Sequence, residues 1–274
     1  MKTLENHTLL YDEDCPLCQV YTSGFIKTGM LDRNGRQPYS TISTENQNFI
    51  NLERASNEIA LVDTKNKTVI YGIDSLLKVL GFRFPIIEKI GHIKPVKFLL
   101  KKLYSFISYN RKVIIPSEKN KSEQLQCLPS FNVKYRLLYI LFSVVVTMFT
   151  LFHFSKNITT LPHGSLMREG FITIGQLVFQ GLLIYKLDKK MILNYFGNLM
   201  TISLMGSLML LPLLIINWMV QIHEIIFLIG FGITVLIMFI EHFRRIKLLK
   251  LPRFLTYTWV LYRVLILLTI LILN

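Results

Sequence analysis

Long apolar runs in the second half of the chain restrict its fold more than any other feature. Five of them follow one another, at residues 135–154, 170–187, 198–220, 225–240 and 254–273. A helix that crosses a bilayer needs about 20 mostly apolar residues, within a range of about 17–25. The second and fourth runs lie near the lower limit of that range. We therefore predict an all-α transmembrane bundle of about five spans over residues 134–274.

Charge separates the two halves of the chain. The 274 residues include 31 Lys+Arg and 17 Asp+Glu, but residues 134–274 hold only four acidic side chains. With 51% hydrophobic residues the chain is not intrinsically disordered. Three cysteines are too few for the disulfide framework of a secreted module. We predict a soluble domain over residues 1–113, a linker over 114–133 and a membrane domain over 134–274.

The basic residues between the runs predict the orientation. Summed on alternate sides of five spans, they number twelve on the side of the N-terminal half and two on the other side. Loops rich in Lys and Arg stay cytoplasmic. Residues 1–7 are polar and the apolar stretch 8–11 is too short for a signal-peptide core. We expect a multi-pass cell-membrane protein whose N-terminal domain is cytoplasmic. Losing one span would move the C-terminus to the other side but not the N-terminal domain.

Three of the polar residues inside the predicted spans are candidates for function. Arg263 lies in the middle of the last run, and Gln176 and Gln180 are one helical turn apart in the second. An ionisable residue at that depth is a functional-site hypothesis by default, which would make the protein a membrane carrier or membrane enzyme. The alternative is structural: Arg263 snorkels or pairs with Glu241 or a backbone carbonyl, and the glutamines hydrogen-bond between helices.

The first half alternates short strands and helices. Strands are predicted at 8–11, 38–42, 58–62 and 67–71, and helices at 19–28, 45–54 and 74–80. The order is β-α-β-α-β-β-α. A β-α-β unit followed by β-β-α, with a Cys-x-x-Cys between the first strand and first helix, is typical of an α/β thioredoxin-like domain.

The cysteine pair lies in residues 12–18, Asp-Glu-Asp-Cys-Pro-Leu-Cys. Pro16 suits the first helical turn, so Cys15 should lie at the helix N-terminus, where unpaired N–H groups and the helix dipole lower a thiol pKa. A thiolate at Cys15 can attack a disulfide, and Cys18, more buried, can resolve the mixed disulfide. The charge of Asp12 would raise the Cys15 pKa; alternatively, its carboxylate carries a proton for Cys18.

These residues resemble the signature of the DCC family of thiol-disulfide oxidoreductases, Asp-x-x-Cys-x-x-Cys. Its three positions are filled by Asp12, Cys15 and Cys18. The resemblance covers about residues 8–113. It implies a thioredoxin-like fold and redox activity at the two cysteines, which we take as the catalytic residues together with Asp12.

Two later segments add to the resemblance. Residues 71–74, Tyr-Gly-Ile-Asp, are similar to the family's Gly-x-Asp/Glu-Ala stretch, with Ser75 in place of Ala. Residues 104–111, ending in Tyr-Asn-Arg, are similar to its terminal segment. The Cys-Pro-x-Cys core also resembles glutaredoxins. One departure is that residues 56–58 contain no proline, where thioredoxin-like proteins usually have one before the third strand.

Other interpretations of the cysteine pair remain open. It could be half of a zinc site, for which Cys127 and His7 are poor further ligands by spacing. It could be inert in a domain that only binds a partner. Residues 10–14 also imitate the Asp-x-Asp nucleophile of haloacid-dehalogenase-type phosphatases, although Pro16 stands where Thr or Val is expected. We expect no cofactor and no metal.

The position of the cysteines limits the redox partners. All three lie on the predicted cytoplasmic side and none follows residue 127, so this chain alone cannot relay thiols across a bilayer or work as a quinone-linked disulfide generator. Glutathione or a thioredoxin-like donor would keep the pair reduced. We expect a membrane-anchored, cytosol-facing oxidoreductase acting on a disulfide-containing protein or a small thiol. The alternative from the same residues is a non-catalytic module that regulates the bundle.

Two features near the first span point to the membrane. Residues 83–112 carry eight basic residues and one acid, Glu88, with apolar residues at helical spacing. Such a helix either lies on an anionic inner leaflet or packs on the redox domain. Cys127 is either an acylated juxtamembrane cysteine or an ordinary free thiol. The lipid bilayer is thus a predicted partner, and nucleic acid is not.

Overall fold

The computed structural model describes residues 3–116, 130–159, 162 and 164–272. The chain divides into two compact units, Met1–Tyr135 and Arg136–Asn274, called here the N-terminal unit and the membrane unit. Most of the predicted linker, and Cys127 with it, lies outside the described residues.

The N-terminal unit contains all the strands of the described chain. Its elements are β1 (His7–Tyr11), α1 (Pro16–Lys27), β2 (Arg36–Pro38), α2 (Thr44–Gln47), α3 (Leu52–Asn57), β3 (Ala60–Asp63), β4 (Thr68–Tyr71), α4 (Ile73–Arg83), α5 (Pro85–Gly91) and α6 (Lys94–Ile114). Through α4 they follow the predicted order.

Two elements differ most from those predicted. The second strand was predicted at 38–42 but spans Arg36–Pro38, and residues 39–41 form a 3-10 turn, since proline has no N–H for a further ladder bond. The helix predicted over residues 45–54 is two helices, α2 and α3. Each has its own cap: the Ser43 side chain accepts a hydrogen bond from the Asn46 N–H, and Asn51 accepts from Arg54.

The strands form one mixed sheet in the order β2-β1-β3-β4. β1 is parallel to β2, and β3 is antiparallel to both of its neighbours. Leu9 and Leu61 are paired on the central strands and share one apolar cluster with Tyr104, whereas Leu10 and Ala60 share another. Because side chains alternate along a strand, the two clusters cover opposite faces of the sheet.

Helix α6 differs along its length. Near its N-terminus Phe98 and Leu99 are about two-thirds exposed, at 65% and 66%. Toward its C-terminus Ser108, Asn110 and Arg111 are buried. The end of α6 therefore packs into the N-terminal unit, and its beginning leaves an apolar surface uncovered, as an interfacial helix would.

The membrane unit is helical throughout its described residues. Its helices are α7 (Val133–Ser155), α8 (Leu166–Leu183), α9 (Lys189–Met219), α10 (Glu224–Leu248) and α11 (Phe254–Ile272). Among the described residues, all except α8 are long and apolar enough to cross a membrane. Length and composition therefore support four spans, where the sequence predicted five. The difference lies in α8, whose 18 residues include Arg168, Glu169 and two glutamines.

Helix α8 nevertheless packs inside the bundle, alongside α11. Tyr262 Oη donates to the Ile172 carbonyl at 2.9 Å, and Gln180 Nε2 donates to the Leu255 carbonyl at 3.3 Å. The two helices are antiparallel, because residue numbers rise along one as they fall along the other. Gln180 also accepts from Tyr195 Oη at 3.0 Å, so it makes the interhelical hydrogen bonds expected of a structural glutamine.

The predicted pairing of Arg263 with Glu241 is wrong. The Glu241 carboxylate instead binds Arg244 and Arg245 on its own helix, each at 2.7 Å. These partners lie three and four residues away, the spacing at which helical side chains meet. The Arg263 guanidinium lies over the Trp259 ring, 4.3 Å from its centroid.

Candidate functional site

A tight turn carries the chain from β1 into α1. The Cys15 N–H donates to the Asp12 carbonyl at 3.1 Å, and the Asp14 N–H donates to the Asp12 carboxylate at 3.1 Å. Cys15 is the N-cap of α1 and has an extended backbone, and Pro16 is the first helical residue. This placement of Cys15 and Pro16 was predicted from the sequence and is confirmed.

The Cys15 and Cys18 thiols, called here the dithiol, are both free and form one hydrogen-bonded pair. The hydrogen bond from the Cys18 thiol lowers the pKa of Cys15 from 9.0 to about 6, against the raising effect of burial. The Cys18 backbone N–H and the charge of Arg111 lower it further. The same hydrogen bond, with burial, raises the pKa of Cys18. Cys15 is therefore the thiolate at neutral pH, and Cys18 keeps the shared proton.

Both thiols are buried. Cys15 is 2% exposed and Cys18 is 6% exposed, so the expectation that Cys18 is the more buried of the two does not hold for solvent exposure. The Cys15 sulfur is therefore almost entirely shielded from solvent in this conformation.

Asp12 lies in a buried ion pair beside the dithiol. Its side chain is 4% exposed and one oxygen lies 3.2 Å from Arg111 Nη2 and 3.1 Å from Lys112 Nζ. From the sequence we expected the Asp12 carboxylate to oppose formation of the Cys15 thiolate. In the structure two cations face that carboxylate. Arg111 lowers the pKa of Cys15 more than Asp12 raises it.

The end of α6 also holds the end of α3 and the residues that connect it to β3. Tyr104, Ser108 and Arg111 lie on one face of the helix. Tyr104 Oη accepts from the Ile59 N–H at 2.8 Å, Ser108 Oγ donates to the Asn57 carbonyl at 2.7 Å, and Arg111 Nη2 donates to the Ser56 carbonyl at 3.1 Å. Residues 56–58 contain no proline, and side chains of α6 bind two backbone carbonyls of this stretch.

Two half-buried tyrosines adjoin the dithiol. Tyr21, on α1, hydrogen-bonds to the Cys18 thiol, and burial raises its pKa. Burial also raises the pKa of Tyr104 to about 12. Both phenols are neutral at physiological pH, so Tyr21 can donate a hydrogen bond to Cys18 as that thiol loses its proton.

The segment around Gly72 anchors α6. Gly72 has a φ of +64°, and a Cβ there would lie 2.7 Å from the Glu58 carboxylate, so both its conformation and its surroundings favour glycine. Ser75 Oγ donates to the Gly72 carbonyl at 2.6 Å. Asp74 pairs with Lys97 of α6 at 2.7 Å. Each of the three segments that carry the resemblance therefore either contacts α6 or is part of it.

Several site residues had no role in the sequence analysis. Arg111 and Tyr104 belong to the segment that resembles the family's terminal segment, but no role at the site was predicted for them. None was predicted for Lys112 or Tyr21 either. Two features of the sequence could have identified them. Tyr104, Ser108 and Arg111 have helical spacing, and a buried carboxylate needs cations as partners.

No group of three or more His, Cys, Asp or Glu side chains suited to a metal ion occurs in the described part of the chain. The further zinc ligand considered above, Cys127, lies outside it. Comparison with protein-family models, with curated proteins and with solved structures found no match.

Replacing Arg111 tests the electrostatics of the site. Alkylation of Cys15 by iodoacetamide should rise with pH through about 6 and level off above it, because the thiolate is the reactive form. In Arg111→Met the midpoint should move upward, with about tenfold slower labelling at low pH for each pKa unit. Peptide mass spectrometry separates Cys15 from the other cysteines.

Two variants control for side effects of that change. Arg111→Lys keeps a cation and should restore most of the rate, whereas Lys102→Met removes an exposed cation elsewhere on α6 and should leave the midpoint unchanged. An unchanged midpoint in Arg111→Met would show that Arg111 does not stabilise the thiolate.

Proposed function

We propose that the N-terminal unit is a thioredoxin-like domain of the DCC type and that the protein is a membrane-anchored thiol-disulfide oxidoreductase. One observation carries the proposal. Cys15 is buried at the start of a helix, and the hydrogen bond from the Cys18 thiol lowers its pKa to about 6. The order of strands and helices in the N-terminal unit supports the fold assignment.

The proposed reaction is a two-step exchange. The Cys15 thiolate attacks one sulfur of a substrate disulfide, the S–S bond breaks, and the leaving thiolate takes a proton from water. Cys18 then gives up its proton and attacks the Cys15 sulfur of the mixed disulfide, which releases the second substrate thiol. The substrate gains two electrons and the dithiol becomes a disulfide. Glutathione or a thioredoxin-like donor, as the reductant, returns it to the dithiol.

The surrounding groups assist both steps. The positive charge of Arg111 favours the Cys15 thiolate before attack. Tyr21 hydrogen-bonds to the Cys18 sulfur and so eases its deprotonation in the second step. Asp12 holds Arg111 and Lys112 beside the dithiol, which makes it a positioning residue in this mechanism.

We also infer that all five helices of the membrane unit cross the bilayer, with the N-terminal unit in the cytosol. If α8 did not cross, the basic residues from Arg244 to Arg253 would lie outside the cell, against the charge rule. The antiparallel contact of α8 with α11 supports the crossing, since it places the two helices side by side.

A trapping experiment tests the oxidoreductase. In the full-length protein, Cys18→Ser leaves the attacking thiolate but removes the group that resolves the mixed disulfide. We expect adducts to accumulate on Cys15, visible on non-reducing gels and located by mass spectrometry. Cys15→Ser is the matched control and should give none. Absence of any adduct in Cys18→Ser, or equal adducts in Cys15→Ser, would contradict the enzyme and favour the non-catalytic module.

Labelling from outside the cell tests the orientation. In a chain whose native cysteines are replaced by serine, Lys65→Cys probes the exposed β3–β4 turn and Gln221→Cys probes the exposed link between α9 and α10. With five crossings, an impermeant maleimide should label position 221 in intact cells and position 65 only after permeabilisation. Protection of both positions would mean that α8 does not cross, and labelling of position 65 would reverse the orientation.

A further inference from the structure

The five helices of the membrane unit line a small, partly open cavity whose surface is mostly apolar. Its volume is about 50 Å³, and a cavity needs about 10–15 Å³ to hold one water molecule. Each helix contributes a polar side chain to the lining: Thr147, Gln176, Ser203, Thr234 and Arg263. The cavity therefore lies at the centre of the bundle and is of a size for a small ion.

Hydrogen-bonding groups without partners line this cavity. Gln176 is 5% exposed, yet neither its amide nitrogen nor its amide oxygen has a hydrogen-bond partner among the described residues. Thr147 Oγ1 and Arg263 Nε are likewise buried and unpartnered there. Leaving a buried polar group unpaired costs about 1–3 kcal/mol. Three donors from three helices thus face a space that the described chain does not fill.

The charge of Arg263 is also unbalanced. The membrane unit contains four acidic residues, and each of them has another contact. Glu241 binds Arg244 and Arg245, Glu169 binds Arg168, Glu224 accepts from Thr159, and Asp188 caps α9. No carboxylate in the described residues pairs with Arg263, which lies at the middle of α11. An unpaired charge at that depth has a high free-energy cost, and a bound negative group would lower that cost.

We propose that this cavity binds a small monovalent anion, a halide or the carboxylate of a short organic acid. The anion balances the charge of Arg263 and accepts hydrogen bonds from Arg263, Gln176 and Thr147. Water would satisfy the hydrogen bonds but not the charge. A cation is repelled by Arg263, and a dianion carries more charge than this one guanidinium balances. The site is separate from the dithiol and does not depend on its chemistry.

The fluorescence of Trp259 can report on binding at this site. Trp259 is fully buried, and its ring lies 4.3 Å from the Arg263 guanidinium. The second of the two tryptophans, Trp218, is 89% exposed. In a Trp218→Phe background, indole fluorescence therefore comes from Trp259 alone, and a heavy anion quenches it only by reaching the cavity.

Bromide titration of the full-length Trp218→Phe protein in detergent tests the proposal, with sulfate, a dianion that the site should not bind, keeping ionic strength constant. We expect saturable quenching of Trp259 that chloride reverses by competition. Arg263→Gln should weaken bromide binding by about tenfold or more, and Gln176→Leu should weaken it less. Arg253→Gln, the matched change just before α11, should leave binding unchanged.

Other outcomes would overturn the anion site. Quenching that stays linear in bromide concentration, or that is equal in Arg263→Gln, would show collisional contact and a cavity holding water only. If Arg263→Gln does not fold, as judged by gel filtration, Gln176→Leu and Thr147→Val decide the matter, because both are neutral replacements. Unchanged saturable quenching in both would place the bound bromide elsewhere.

Discussion

The N-terminal unit depends on one buried ion pair. Asp12 begins the turn after β1, and Arg111 and Lys112 lie near the end of α6, about a hundred residues later in the chain. Removing one partner of such a pair leaves an uncompensated buried charge, at a cost of about 3–5 kcal/mol. The contact holds together the turn that carries Cys15, the last helix of the unit and, through Arg111, the end of α3. It also brings positive charge to the thiolate.

Buried polar residues of the membrane unit differ in whether they have hydrogen-bond or ion-pair partners. Gln180 and Glu241 have full sets of partners on neighbouring helices or on their own helix. Gln176 and Arg263 do not, although Gln176 is only one turn from Gln180. Satisfied groups join helices, whereas unsatisfied groups that share a cavity are suited to a ligand. The same residue type therefore has a structural role at one position and a binding role at the next.

The sequence could predict those features that depend on residues close together in the chain. The order of strands and helices along the chain, the helix start at Pro16 and the thiol at its N-cap follow from neighbouring residues, and all were predicted. The contact of Asp12 with Arg111 joins distant segments, which no local pattern reveals. Glu241 was one of the partners considered for Arg263, and the helical spacing of Arg244 and Arg245 could have excluded it. The polar residues that make α8 too polar to count as a span by composition could be read from the sequence. The packing of α8 against α11 could not.

The reduction potential of the Cys15–Cys18 couple tests the central claim most directly. Equilibrating the full-length protein with glutathione buffers of graded potential, and counting free thiols on both cysteines, should give one reversible two-electron transition. A stabilised thiolate favours the reduced form, so we expect a potential between about −270 and −120 mV, the range of exchange catalysts. A couple that never forms a disulfide, or one below about −300 mV as in structural disulfides, would contradict the account.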